Sequence, residues 1–358
     1  MAKFKKIGVL TSGGDAPGMN ACIKAVVSKA ATMGIKVVGI VGGYAGLIKG
    51  NFTELTREKI STSIGLGGTM LYSSRCPEFK EEEGVMAAVK TCHDHHIDAL
   101  ICIGGDGTFR GATDMTLHGL PSIGLPGTID NDITATDYTI GLDTAINTTV
   151  EMVDCLRDTC ESHARLNVVE VMGRDCGQIA LYAAIASAAV AVAVPEVPFD
   201  EEGTIRRIRQ LRAAGKRGMI VVVSEGMRNP DGTPYGETLA KKIGAETGVE
   251  TKFARLAHIV RGGNPTARDR YTAAQMATKA VELLTEGKSN LVMCELDGKI
   301  TPVDISWALI ADRMYKNKLQ DGDLDKFSAE EIRAMEEIAE KRRAEINKLY
   351  KAANDMSF

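Results

Sequence analysis

The stretch at residues 97–108, IDALICIGGDGT, sets one carboxylate, Asp106, among glycines directly after a short apolar run. Glycines let the backbone turn tightly and bring N–H groups against anionic oxygens. A lone aspartate repels a bare phosphate, but it suits Mg²⁺, which bridges carboxylate and phosphate oxygens. The same residues also suit a strand-to-helix turn capped by aspartate, so this stretch alone leaves both readings open. Residues 11–18, TSGGDAPG, form a second glycine-rich loop between a strand at 6–10 and a helix at 19–33. That helix N-terminus offers a positive dipole end to phosphate. The loop is neither a GxGxxG fingerprint nor a Walker A loop, because no GK[ST] follows.

Other residues fit the same chemistry. In PGTIDND, residues 126–132, Asp130 and Asp132 follow a strand at 121–125. They suit a general base with its partner, or Asx-turn residues. Arg75 stands in a loop of small residues, and Arg174 closes MGR after a strand at 166–171. Arg75 reads as a phosphate ligand or as an ordinary surface arginine. His258 and Arg261 share the glycine loop AHIVRGGNP at 257–265, an anion site or a plain turn. Tyr44 either stacks on a ligand ring or covers core. The cluster CHDHH at 92–96 looks metal-binding, but adjacent helix positions do not face one site. Cationic residues ending a helix account for it.

The elements that carry these residues alternate strand and helix. Further strands are expected at 37–41, 99–103, 219–224 (ending at Glu225) and 290–296, with helices from near 84, at 138–162 and at 302–316. The uncharged run 179–195 reads as a buried helix followed by a buried strand rather than a membrane span. Such alternation predicts parallel sheets. At 358 residues the chain exceeds one simple core and implies two domains. A net charge of −4 gives no footprint for nucleic acid. The eight cysteines are scattered without a CxxC pair, which fits a reduced cytoplasmic protein. The apolar run near the start is too short for a signal peptide. From Ser328, which forms a capping box with Glu331, the chain becomes charged and helical. The apolar side of that segment (Ile332, Met335, Ile346, Leu349) is thin.

Together these segments resemble bacterial-type 6-phosphofructokinases. The resemblance rests on TSGGDAPGMN (11–20), GGT…SSRCPEF (67–79), IGGDGT (103–108), PGTIDND (126–132), ESHAR (161–165), VVEVMGR (168–174) and HIVRGG (258–263), in the family's order over about residues 5–316. It implies an α/β fold of two doubly wound, mostly parallel αβα domains, with the active site in the cleft between them. The expected boundaries are 1–141 plus about 260–310, 142–259 plus about 311–327, and a helical extension at 328–358. It implies phosphoryl transfer from Mg-ATP to the 1-hydroxyl of fructose 6-phosphate. A pyrophosphate-dependent or mixed enzyme and an inactive regulatory subunit are the alternatives.

By match to the motifs, Asp106 is the Mg²⁺ ligand and Asp130 the base, supported by Asp132. Gly14 donates its N–H to the transferring phosphate, Arg75 and Arg174 stabilise its charge, and Thr128 touches the sugar. Nucleotide contacts fall to Gly14, Tyr44, Arg75, Cys76, Gly105, Gly107 and Thr108. Sugar-phosphate contacts fall to Thr128, Ile129, Asp130, Arg165, Met172, Gly173, Arg174, Glu225, Lys252, His258, Ile259, Val260 and Arg261. Part of that site comes from a neighbouring subunit, which implies a homotetramer with no nucleic-acid or membrane partner. Pyrophosphate-using relatives carry Asp at Gly107 and Lys at Gly127, so both glycines favour ATP. Lys252 replaces a usual arginine and loses its fork geometry. Lys24, Ser28 and Val190 stand where the regulated enzymes place two arginines and a glutamate for an effector; Arg57, Lys216 and Arg217 remain as anion ligands. Weak or absent activation by ADP is expected.

Overall fold

A computed structural model describes residues 4–357. They divide into two compact units: one holds residues up to Ile129, Ile133–Asp143 and Arg261–Glu340; the other holds Asp130–Asp132, Thr144–Val260 and the chain from Lys341 on.

The first unit is built on a seven-stranded sheet in the order β11-β10-β5-β4-β1-β2-β3. Its central strands, β1 (Lys6–Thr11), β2 (Lys36–Ile40), β4 (Ala99–Gly104), β5 (Ser122–Pro126) and β10 (Leu291–Leu296), run parallel. Antiparallel strands β3 (Phe52–Glu54) and β11 (Lys299–Asp304) close the edges. The continuous apolar runs are what a sheet covered on both faces demands. Helix α1 (Met19–Thr32) packs on α9 (Ala267–Thr285); α3 (Glu82–Asp94) packs on α2 (Gly43–Lys49) and α4 (Asp106–Leu117), which also meets α10 (Ile305–Tyr315). The chain leaves β1 to β2 on one side and returns to β4 on the other. That reversal opens a crevice at the carboxyl ends of β1 and β4, where such sheets take ligands.

The second unit has four parallel strands in the order β7-β8-β6-β9: β6 (Leu166–Val171), β7 (Ala191–Ala193), β8 (Met219–Ser224) and β9 (Thr251–Arg255). Its core is aliphatic, from Val168, Val190, Val221 and Val223 of the strands with Ile205 and Ile208 of α7 (Glu201–Ala213) and Leu239 and Ile243 of α8 (Tyr235–Thr247). The run 179–195 splits into α6 (Gln178–Ala186) and β7. No described helix is long and apolar enough to cross a membrane.

Three boundaries differ from the sequence reading. Pro302 lies in edge strand β11, where a missing N–H costs no ladder bond on the open side, and the helix starts at Ile305 behind the Asp304 cap, which accepts from Trp307 N at 3.0 Å. The long helix α5 is Leu142–His163, not 138–162, because Gly141 has φ 112° and Tyr138 is anchored to Asp269. Residues 311–327 group with the first unit: Ala311 joins Ile310 and Met335 in a small core, and Arg313 pairs with Asp323 at 2.6 Å. The charged tail folds as α11 (Ala329–Asp355), opened by the Ser328–Glu331 capping box. Met335 and Ile346 are buried, so its thin apolar side does pack.

Candidate active site

In the first unit the glycine loops meet because their strands are paired. Thr11 lies opposite Ile103, and Ser12 N donates to Ile103 O at 3.0 Å. Thr108 Oγ1 donates to Ser12 O at 3.1 Å and ties the two loops directly. Asp106 is the first residue of α4, with a partly open side chain, and the space beside Gly105 and Gly107 is empty to 4 Å from an added Cβ. The loop carrying Arg75 is stitched to the same place. Asn20 donates to the carbonyls of Leu66 and Gly67 and accepts from Met70 N at 2.8 Å. Thr11 Oγ1 donates to Tyr72 O, and Ser73 Oγ to Gly13 O at 2.6 Å. Arg75 itself is exposed. Arg261 lies over Gly14 and donates to Asp15 O at 3.0 Å, while a Cβ at Gly14 would stand 2.7 Å from its guanidinium.

In the second unit the carboxyl ends of β6 and β8 hold a second constellation. Val171 pairs with Ser224, which places Met172 beside Glu225. Glu225 Oε1 accepts from Gly173 N at 3.2 Å and Arg174 N at 2.9 Å. This anchor holds Arg174 at φ 52°, and its carbonyl lies 2.3 Å from where a Gly226 Cβ would stand. Arg174 Nε is 3.2 Å from Asp130 Oδ2, and its Nη1 is 3.8 Å from Asp132 Oδ2. Asp130 is 1% exposed, and Arg174 sets a cation against this buried carboxyl. Asn131 Nδ2 donates to Gln178 Oε1 at 2.6 Å and fixes the loop. Burial pushes the Cys176 thiol well up, so it remains neutral.

Arg165 and Lys252 form a separate cluster. Both bind Glu250, Arg165 Nε at 2.9 Å and Lys252 Nζ at 3.0 Å, and the Arg165 bond first, then that of Lys252, draws the Glu250 carboxyl down to about 2. They stand at the amino ends of β6 and β9, whereas Met172, Arg174, Glu225 and His258 follow the carboxyl ends. At about 3.3 Å per strand residue the two edges are about 20 Å apart.

The phosphofructokinase family profile matches residues 6–284. This chain belongs to that family. An ATP-dependent 6-phosphofructokinase of Clostridium perfringens is 48% identical over 316 residues, 88% of this chain and 97% of that protein. One from Lysinibacillus sphaericus is 51% identical over 285 residues, 80% of this chain and 88% of that protein. The phosphofructokinase structure from Saccharomyces cerevisiae aligns with TM-score 0.82 and 32% identity over 93% of this chain and 50% of that one. A pyrophosphate-dependent phosphofructokinase from Marinobacter aquaeolei shares the fold, with TM-score 0.72 and 22% identity over 84% of this chain and 83% of that one.

For a phosphofructokinase, several expected contacts change character. Tyr44 is core: it is buried, stacks on Phe79 at 4.0 Å and donates to Thr108 O at 2.7 Å. The Thr108 hydroxyl is spent on the loop, and Ile129 and Val260 bury their side chains fully. Thr128 is buried, and its carbonyl accepts from Thr139 Oγ1 at 2.7 Å. Cys76 is half-buried against the core. His258 and Ile259 are exposed on a 3-10 turn after β9. Of the residues matched to the effector site, Val190 is buried, Lys24 is bound to the carbonyls of Ile60 and Ser61, and Arg217 to those of Glu161 and Ser162. Arg57 donates to Ser28 O at 3.3 Å. Sequence reasoning missed Asn20, Ser73 and Lys316; short polar residues beside glycine loops are the signal that marks the first two.

Among the described residues no group of three or more His, Cys, Asp or Glu side chains could hold a metal. One carboxylate beside open glycines nonetheless suits Mg²⁺, which keeps several waters and takes one or two carboxylates together with substrate phosphates.

Proposed function

We propose that this protein transfers the terminal phosphoryl group of Mg-ATP to the 1-hydroxyl of fructose 6-phosphate, releasing fructose 1,6-bisphosphate and ADP. The observation that carries the reading is the buried Asp130 carboxylate held 3.2 Å from Arg174, whose own backbone is pinned by Glu225. A base and a cation so fixed are what transfer to a hydroxyl requires.

Residues of the first unit hold the donor. The Gly14 N–H and Arg75 face the transferring phosphoryl group, and Asp106 would hold the Mg²⁺. When bound, that ion neutralises phosphate charge. Gly105 and Gly107 leave the space clear for the nucleotide phosphates. Residues of the second unit hold the acceptor. Asp130 Oδ takes the proton of the attacking hydroxyl, and Asp132 shares the Arg174 cation. Arg174 offers its charge to the phosphoryl oxygens as charge develops there. Met172, Gly173 and Glu225 border the sugar, and His258 supplies charge for its 6-phosphate; Arg261, the other cation that the motif assigns to that phosphate, belongs to the first unit.

Arg165 and Lys252 serve a second copy of the chain. Their place at the opposite sheet edge keeps them from the ligands of their own Arg174, which supports a site completed by a neighbouring subunit. A homotetramer working in the cytoplasm, free of nucleic acid and membrane, fits this reading. The test pairs ATP, GTP and pyrophosphate against fructose 6-phosphate and sedoheptulose 7-phosphate. Turnover with ATP and fructose 6-phosphate is expected; turnover only with pyrophosphate, or no turnover with any of the three donors, overturns the reading.

A further inference from the structure

Lys316 stands where no motif of the glycine loops would place a cation. It caps the C-terminus of α10, and its ammonium donates to Asp312 Oδ2 at 2.7 Å while lying 3.6 Å from Asp106 Oδ2. Lys316 is only 19% exposed at its side chain, and Asp312 only 8%. Asp312 is fixed from its other oxygen, Oδ1, which accepts from Thr134 Oγ1 at 2.9 Å. Thr134 follows PGTIDND by two residues. A chain of polar contacts thus runs from the glycine-loop carboxylate through Lys316 and Asp312 to Thr134.

The two distances differ in kind. At 2.7 Å the bond to Asp312 is a charge-assisted hydrogen bond; at 3.6 Å the contact with Asp106 is electrostatic only. Asp312 therefore holds the ammonium back from Asp106 while leaving its field there. We propose that Lys316 is a positioning residue that sets how strongly nucleotide binding depends on the divalent cation. Its charge offsets part of the Asp106 carboxylate, which eases the approach of metal-free nucleotide phosphates and weakens the pull on the cation. Asp312 limits that effect by keeping Lys316 from closing onto Asp106. This inference rests on Asp106 being the metal ligand.

The readout is the ratio of the ADP dissociation constants without and with Mg²⁺, measured by equilibrium dialysis on the full chain. Lys316→Met removes this positive charge from beside Asp106 and is expected to raise the ratio about tenfold. The paired variant Lys316→Met with Asp312→Asn removes the buried charge that the single change would strand, and should still raise it, by less, because the Asp312 charge goes too. Asp312→Asn alone keeps the Thr134 bond but frees Lys316 to close on Asp106, so the ratio should fall several-fold. A merely structural role predicts no such reversal of sign. Asp106→Asn should bring the ratio close to one in every background. An unchanged ratio in Asp106→Asn overturns the metal assignment itself. A collapsed ratio there, with no shift in the paired variant or no opposite shift in Asp312→Asn, overturns the role of Lys316.

Discussion

Gly107→Asp should stabilise the fold and weaken ATP use, two effects of opposite sign from one side chain. Gly107 is the second residue of α4, with an ordinary backbone and nothing within 4 Å of an added Cβ. Replacing glycine within a helix recovers about 0.5–1 kcal/mol of backbone entropy. A carboxylate in the first turn adds about 0.3–1 kcal/mol through the helix dipole. Repulsion from the neighbouring Asp106 cancels part of this, so a net gain of about 0.5–1 kcal/mol and a melting rise of about 1–4 °C are expected. The nucleotide phosphates meet a new negative charge. At about 5 Å and an effective dielectric of about 20–40, the repulsion is about 1.7–3.3 kcal/mol, or roughly 20- to 250-fold in ATP affinity. Gly107→Asn, of equal size without charge, separates crowding from repulsion and should lose far less. The assay is KM for ATP at saturating sugar phosphate, beside thermal unfolding without nucleotide. A KM for ATP within threefold of the parent, with melting unchanged or raised, refutes the placement of the phosphates beside Gly107.

Four further outcomes follow from the same geometry. Asp130→Ser should lower kcat by about 10²–10⁴ while leaving sugar-phosphate binding nearly intact; an unaltered kcat removes Asp130 as base. Gly226→Ala drives a methyl into the Arg174 carbonyl 2.3 Å away, so kcat should drop at least tenfold with little change in KM for ATP, and parental turnover in a folded variant would show that Arg174 needs no such support. The Glu250 carboxyl is lowered to about 2 from an ordinary 4.5, so its contribution to stability is present above 4.5 and is lost only as pH falls toward 2; an NMR titration midpoint near 4.5 would dissolve the cluster with Arg165 and Lys252. ADP should give no several-fold, saturable activation at subsaturating sugar phosphate, because Val190 is buried and Lys24 and Arg217 are committed to backbone carbonyls.

Where strand, glycines and helix follow one another in the chain, the sequence sufficed to place the loops. IGGDGT and TSGGDAPG combine a buried strand with glycines, and the pairing of Thr11 with Ile103 brings them to one crevice. The six residues of β8 coincide with the apolar run that defines it. Where a residue has two uses, the neighbours decide, and they are remote in sequence. Tyr44 turns to core because Phe79 lies 35 positions away and offers a ring at 4.0 Å. Pro302 is tolerated in a strand only because β11 has an open side, which no local pattern reveals.

The same distinction explains why Lys316 escaped notice. A lysine at a helix C-terminus is accounted for by the dipole alone, and its sequence neighbours are unremarkable. What gives it a role is the burial of Asp312 and the nearness of Asp106, 210 positions earlier in the chain, brought together by α4 packing on α10. A carboxylate as buried as Asp312 is costly unless paired, so its lysine is held in place whether or not a nucleotide is bound. Asp106 therefore stands beside a fixed positive charge, and a cation held there would have to compete with that charge rather than with water alone.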